Sequence, residues 1–117
     1  METLTIYHNP RCSKSRTALA LLQERSVPLE IVEYLKHPPT RAQLKELRQK
    51  LDLTPGQWVR KGEPEYKAAG LGNDSTEDQI LDAMAKCPVL IERPVVVRGT
   101  RAVVGRPPER VIDLLES

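Results

Sequence analysis

"LTIYHNPRCSKSRTALALL", residues 4–22, sets the framework for the whole chain. Its first four residues are apolar or β-branched and stop at the turn-forming "HNP", as a buried strand does. From Ser13 to about Arg25, Ala18, Leu21 and Leu22 recur at helical spacing among good helix formers, which predicts a helix. Cys12 therefore stands at or just before a helix N-terminus. After Pro28, "LEIVEYL" (residues 29–35) alternates around Ile31 and Val32 and reads as a second strand. Strand, helix, strand in this order is a βαβ unit, so the two strands should run parallel with a right-handed crossover.

Further along, "HPPT" ends the second strand, and Thr40 with Gln43 matches a capping box for a helix reaching about Leu51. Thr54 and Pro55 can open a short helix. A loop with "KGEP" and "GLGND" follows, and Ser75 or Thr76 caps a helix carrying Ile80, Leu81 and Met84. "PVLI", "PVVV" and "RAVV" read as strands, with "RGT" around Gly99 as a hairpin turn. Beyond "GRPPE", Val111, Ile112, Leu114 and Leu115 form a last amphipathic helix with proline in its first turn. The expected fold class is α/β, a two-layer sandwich with a mixed sheet forming one domain over 1–117, with a helical insert at about 40–86. The order resembles the thioredoxin-like fold, in which a redox cysteine lies between the first strand and helix and faces a cis proline opening a later strand. Pro94 in "ERPVVV" occupies the matching position, and a strand's first residue tolerates proline.

A length of 117 residues suits one domain. With 18 Lys and Arg against 16 Asp and Glu, the net charge of +2 supplies no general attraction to nucleic acid or an acidic membrane. Aromatic residues are scarce and Phe is absent, so a base-stacking surface is not expected. No stretch approaches the ~20 apolar residues of a membrane span. Two cysteines far apart make neither a disulfide framework nor a zinc pattern, and no leader-like apolar run precedes them. A cytoplasmic protein with reduced thiols is the expectation, with no metal and no bound cofactor.

A thiol with pKa near ~8.5 is mostly protonated at neutral pH, while the thiolate is the nucleophile. Around Cys12 a helix N-terminus, the hydroxyls of Ser13 and Ser15, and the charges of His8, Arg11, Lys14 and Arg16 would each favour the anion. Cys87, in "MAKCPVLI", lies among apolar residues and reads as filler. Cys12 to Ser15 is C-x-x-S, the spacing of a redox dithiol without its second thiol. Cys12 to Arg16 is C-x3-R, which differs from the C-x5-R phosphate loop of tyrosine phosphatases. A single nucleophilic thiol that borrows an external thiol remains.

Arg60 in "QWVRKGEPEY", Arg93 in "LIERPVVV" and Arg106 in "VVGRPPER" stand where loops meet regular elements, and the guanidinium fork suits a tetrahedral oxyanion. Taken in order, "HNPRCSKSR", "VRKGEPEY", "LIERPVVV" and "GRPPE" resemble the arsenate reductase family that couples to glutathione and glutaredoxin, from about Leu4 to Leu115. The resemblance implies that Cys12 attacks arsenate, that Arg60, Arg93 and Arg106 hold the oxyanion, and that His8 and Ser15 tune the thiolate. Arsenate would become arsenite through an arsenylated cysteine, with glutathione as co-substrate and glutaredoxin as final reductant. One departure stands out: Ser13 and Lys14 follow the cysteine where detoxifying members tend to carry Gly and Thr. Two other readings share these residues. One is a monothiol glutathione-dependent thioltransferase, and the other a redox-sensing regulator of the same fold that binds RNA polymerase, although such regulators usually carry C-x-x-C.

Overall fold

The computed structural model describes residues 3–116. In chain order the elements are β1 (Leu4–His8), α1 (Ser13–Glu24), β2 (Leu29–Glu33), α2 (Arg41–Leu51), α3 (Pro55–Trp58), α4 (Pro64–Ala68), α5 (Glu77–Lys86), a 3-10 turn (Pro88–Leu90), β3 (Val95–Arg98), β4 (Arg101–Val104) and α6 (Arg110–Glu116). They divide between two units. The sheet unit contains the residues up to His37 and those from Arg93 onward, and the helical unit is Pro38–Glu92.

In the sheet unit the strand order is β2-β1-β3-β4. β1 and β2 run parallel, in register from Leu4 opposite Leu29 to His8 opposite Glu33. β3 lies antiparallel to both β1 and β4. Period-two alternation buries Leu4, Ile6 and His8 on one face of β1. Leu4 and Ile6 share a core with Ala18 and Leu22 of α1, Val96 of β3, and Val111 and Leu114 of α6. Each fully buried Leu or Ile there contributes about 1.5–3 kcal/mol of transfer free energy. Because β1 stops at His8 and α1 starts at Ser13, the loop holding Cys12 opens at the carboxyl end of the parallel pair.

The β3–β4 hairpin turns at Gly99, whose φ of 60° lies in the left-handed region that glycine adopts without steric cost. Gly105, just past β4, has a different reason to lack a side chain. A Cβ there would come within 2.9 Å of Pro94 Cγ and 3.1 Å of Val111 Cγ1, and its N–H donates to the Pro94 carbonyl at 2.8 Å. The Arg93–Pro94 and Arg106–Pro107 peptide bonds are both cis. Pro107 and Pro108 lie in the turn before α6 rather than within its first turn, their carbonyls accepting from the N–H groups of Arg110 and Val111.

The helical unit is organised by its caps. Thr40, Thr54 and Thr76 each accept from the N–H three residues on, and Gln43, Gln57 and Gln79 reciprocate, so α2, α3 and α5 all open on complete capping boxes. Ser75 does not cap α5; its hydroxyl accepts from the Gly72 N–H. Helices α2 and α5 are joined by ion pairs from Arg41 to Asp78 and Asp82 and from Arg48 to Glu77.

Two expectations from the sequence fail here. The loop between "KGEP" and "GLGND" contains the short helix α4, opened by Pro64 and anchored by buried Tyr66. "PVLI" is not a strand: Pro88 starts a 3-10 turn in which the Ile91 N–H bonds back to the Pro88 carbonyl. Among the described residues its strand-like pairing is limited to an isolated bridge from Ile91 to Val59. This bridge ties the segment to the helical unit, which therefore runs on to Glu92. Among the described residues no helix is long and apolar enough to cross a membrane.

Candidate active site

Asn9 shapes the loop that presents the thiol. Its carbonyl accepts from the Cys12 N–H at 3.0 Å, its Oδ1 accepts from the Arg11 N–H at 3.0 Å, and its own N–H donates to Ser15 Oγ at 3.1 Å. The turn ends at Cys12, which is extended (φ −94°, ψ 123°) and occupies the N-cap of α1 without a side-chain capping bond. Its carbonyl accepts the first helical hydrogen bond, from Arg16. The sulfur thus takes the place of the usual capping oxygen, before N–H groups that have no partner inside the helix.

Burial pushes the Cys12 thiol up in pKa, but the opposing influences win. The Ser15 N–H, the positive charge of Arg93, the Lys14 N–H and a hydrogen bond from the Arg93 side chain together bring it below its ordinary value. Arg93 withdraws Nε and Nη1 of its guanidinium from solvent, so its charge acts where water screens it little. Arg106 sits alongside, its Nε donating to the Arg93 carbonyl at 2.8 Å and its Nη2 standing 3.9 Å from Cys12 Sγ. Arg93 flanks Pro94 at the head of β3, and Arg106 follows Gly105 at the end of β4, so the close approach of Gly105 to Pro94 holds the two arginines together.

His8 and Ser15 form the buried floor of the loop, with His8 Nδ1 and Ser15 Oγ 2.7 Å apart. Burial lowers the His8 pKa; Glu33 opposes this and Arg16 adds to it. His8 Nδ1 and Ser15 Oγ share a hydrogen bond whose direction follows the imidazole tautomer, and Ser15 Oγ also accepts from the Asn9 N–H. Ser15 accordingly reaches the sulfur through its backbone N–H. Arg11, Lys14 and Arg16 are exposed.

Arg60 belongs to the helical unit. There its Nη1 pairs with Glu63 at 2.7 Å, its Nε lies 3.8 Å from Glu92, and its N–H donates to Leu90. Cys87, the second free thiol, is the C-cap of α5 and half-buried. The sheet unit thus brings together Cys12, His8, Ser15, Arg93, Pro94 and Arg106. Sequence reasoning missed Asn9 and Gly105; the turn-forming "NP" and the glycine beside Arg106 were the available signals. It also missed Glu63, which no local pattern marks as the partner of Arg60. Chemically, a thiolate faced by two guanidinium groups is suited to attack on a bound tetrahedral oxyanion.

Comparison with known proteins places the chain in a family. Residues 7–114 match the model of the ArsC family. An arsenate reductase of Neisseria meningitidis serogroup A is 43% identical over 117 residues, covering 98% of this chain and 100% of the relative. YfgD of Escherichia coli K12, an uncharacterised protein, is 43% identical over 112 residues, 94% of each chain. Among solved structures, an arsenate reductase from Vibrio cholerae superposes with a TM-score of 0.91 at 41% identity, covering 96% of this chain and 97% of that one. The thioredoxin-like α/β fold expected from the order of elements is thereby established.

Proposed function

The chain belongs to the ArsC family, and from that premise we propose that it reduces arsenate to arsenite with Cys12 as nucleophile, glutathione as the second thiol and glutaredoxin as the final reductant. The observation that carries the reading is the convergence of a thiol of lowered pKa with Arg93 and Arg106.

In the first step Cys12 Sγ forms a bond to arsenic(V), and one arsenic–oxygen bond breaks, the oxygen leaving as water after taking up protons. Arg93 and Arg106 bind the remaining oxygens and balance their charge. Arg60 enters this set on the family resemblance alone. A glutathione thiolate then attacks Cys12 Sγ. The sulfur–sulfur bond forms as the sulfur–arsenic bond breaks, and the electron pair of that bond stays on arsenic, which leaves as arsenite. Two thiols have lost two electrons and arsenic has gained them. Glutaredoxin takes the glutathionyl group from Cys12 and restores the thiolate. Ser15, standing where a dithiol enzyme carries its second cysteine, offers no sulfur for an internal exchange. His8 holds the Ser15 side chain and with it the start of α1. The glutathione dependence fits a cytoplasmic enzyme.

The test is arsenate-dependent NADPH oxidation in two reconstituted systems. Glutathione with glutathione reductase and glutaredoxin should sustain turnover, whereas thioredoxin with thioredoxin reductase should not. Equal turnover with thioredoxin alone would refute the glutathione-coupled mechanism.

A further inference from the structure

A groove of about 260 Å³ lies on the sheet unit beside the loop that carries Cys12, lined by residues 8–11 on one side and by Glu33, Leu35 and Lys36 on the other. We propose that this groove is the binding site of glutathione, with Arg11 and Lys36 receiving its two carboxylates and Glu33 its ammonium group. The assignment deepens the glutathione-coupled reading above and rests on it.

Charge count is the first argument. Glutathione is a small peptide with two carboxylates and one ammonium at neutral pH, and the groove offers two cations, Arg11 and Lys36, and one carboxylate, Glu33. In the free protein Lys36 and Glu33 face each other at 3.6 Å with both side chains well exposed. Such a pair is weak, so both groups can exchange each other for ligand charges at little cost. Position is the second argument. β1 and β2 are parallel and end at His8 and Glu33, which lie opposite each other, and the carboxyl ends of parallel strands are where open α/β sheets take their ligands. The wall formed by residues 9–11 belongs to the same turn that the Cys12 N–H closes onto the Asn9 carbonyl, so this wall directly precedes the nucleophile in the chain. Surface character is the third. Leu35 is 45% exposed at the groove, giving apolar cover for the methylene groups of the γ-glutamyl chain. Beside it β2 is a sheet edge along which an extended peptide can lie.

Binding of S-methylglutathione, which has the charges but no thiol, measures the site without turnover. Amide shifts in an NMR titration should concentrate at residues 8–11 and 33–36, and the dissociation constant should rise about two- to fivefold in each of Lys36→Met and Glu33→Gln. S-Methylcysteinylglycine, lacking the γ-glutamyl carboxylate, should bind more weakly to the wild type and be insensitive to one of the two cation changes, Lys36→Met or Arg11→Met. In turnover, Lys36→Met should raise KM for glutathione and leave KM for arsenate unchanged. Shifts centred instead on Arg60 and Gly62, absence of binding at millimolar analogue, or unaltered binding in both groove variants would each overturn the assignment. Those outcomes leave arsenate reduction itself standing. Failure of glutathione-supported reduction while the groove still binds the analogue would instead strike the functional reading.

Discussion

Cys12 and Cys87 terminate helices at opposite ends, and the contrast gives one residue type two different surroundings in a single chain. Cys12 precedes α1, where the first N–H groups lack partners within the helix, and those of Lys14 and Ser15 help to lower the pKa of the thiol. Cys87 follows α5, at the end where carbonyls are left over. Its own N–H is spent on Ala83 and its carbonyl on Leu90. The positive end of a helix dipole, where Cys12 stands, favours a thiolate. Arginines reinforce the difference, since Arg93 and Arg106 both lie against Cys12.

The largest effect expected from this contrast is on turnover. Cys12→Ser should bring arsenate-dependent NADPH oxidation to background, while Cys87→Ser should keep rates near wild type. Loss of activity in Cys87→Ser alone would make Cys87 a resolving thiol and erase the distinction between the two ends.

Removing the arginines sharpens the comparison next. A charge-assisted hydrogen bond is worth roughly 1.5–3 kcal/mol, so Arg93→Ala and Arg106→Ala should each lower kcat/KM for arsenate by about tenfold to a hundredfold. Lys at either position should restore only part, because it lacks the fork. Arg93→Ala should also move the midpoint of the pH–rate profile for Cys12 alkylation upward, since the Arg93 charge and hydrogen bond hold that pKa down. An unmoved midpoint would assign the depression to the helix end alone.

Gly105→Ala probes the scaffold rather than the chemistry. Its methyl group would enter the space of Pro94 and Val111, and overpacking of this kind costs about 1–3 kcal/mol. A lower melting temperature with weakened arsenate binding is expected; unchanged values of both would mean that β4 can shift without disturbing Arg106.

The smallest effect concerns pH. Burial depresses the His8 pKa below 6.5 in the folded state, so between the folded and unfolded values the unfolded chain binds more protons. Stability is therefore full above about pH 6.5 and declines as pH falls through the folded value. His8→Gln should flatten that acid limb in thermal unfolding curves, and an equally steep limb would point to another group.

Much of the site was legible because its signals are local. A strand ending at "HNP", a cysteine before a helical period, and arginines beside Pro94 and Pro107 can each be read within a few residues. The parallel pairing of β1 and β2 followed from the βαβ order, as observed. Three-dimensional facts were not available in this way. Gly105 lacks a side chain because Pro94 and Val111, from other parts of the chain, meet it there. The hydroxyl of Ser15 meets His8 and the Asn9 N–H, contacts that depend on how the loop folds back over the end of β1. "PVLI" has the composition of a strand, yet Pro88 donates no hydrogen bond and the backbone closes a 3-10 turn instead.

The central claim is that Cys12 works as a lone nucleophile whose second sulfur comes from outside the chain. Intact mass spectrometry of the protein quenched during turnover with arsenate and glutathione, followed by peptide mapping, tests it most directly. The account predicts a single glutathionyl group, mapped to Cys12, with Cys87 still a free thiol. A disulfide joining Cys12 to Cys87, or a glutathionyl group carried on Cys87, would contradict it.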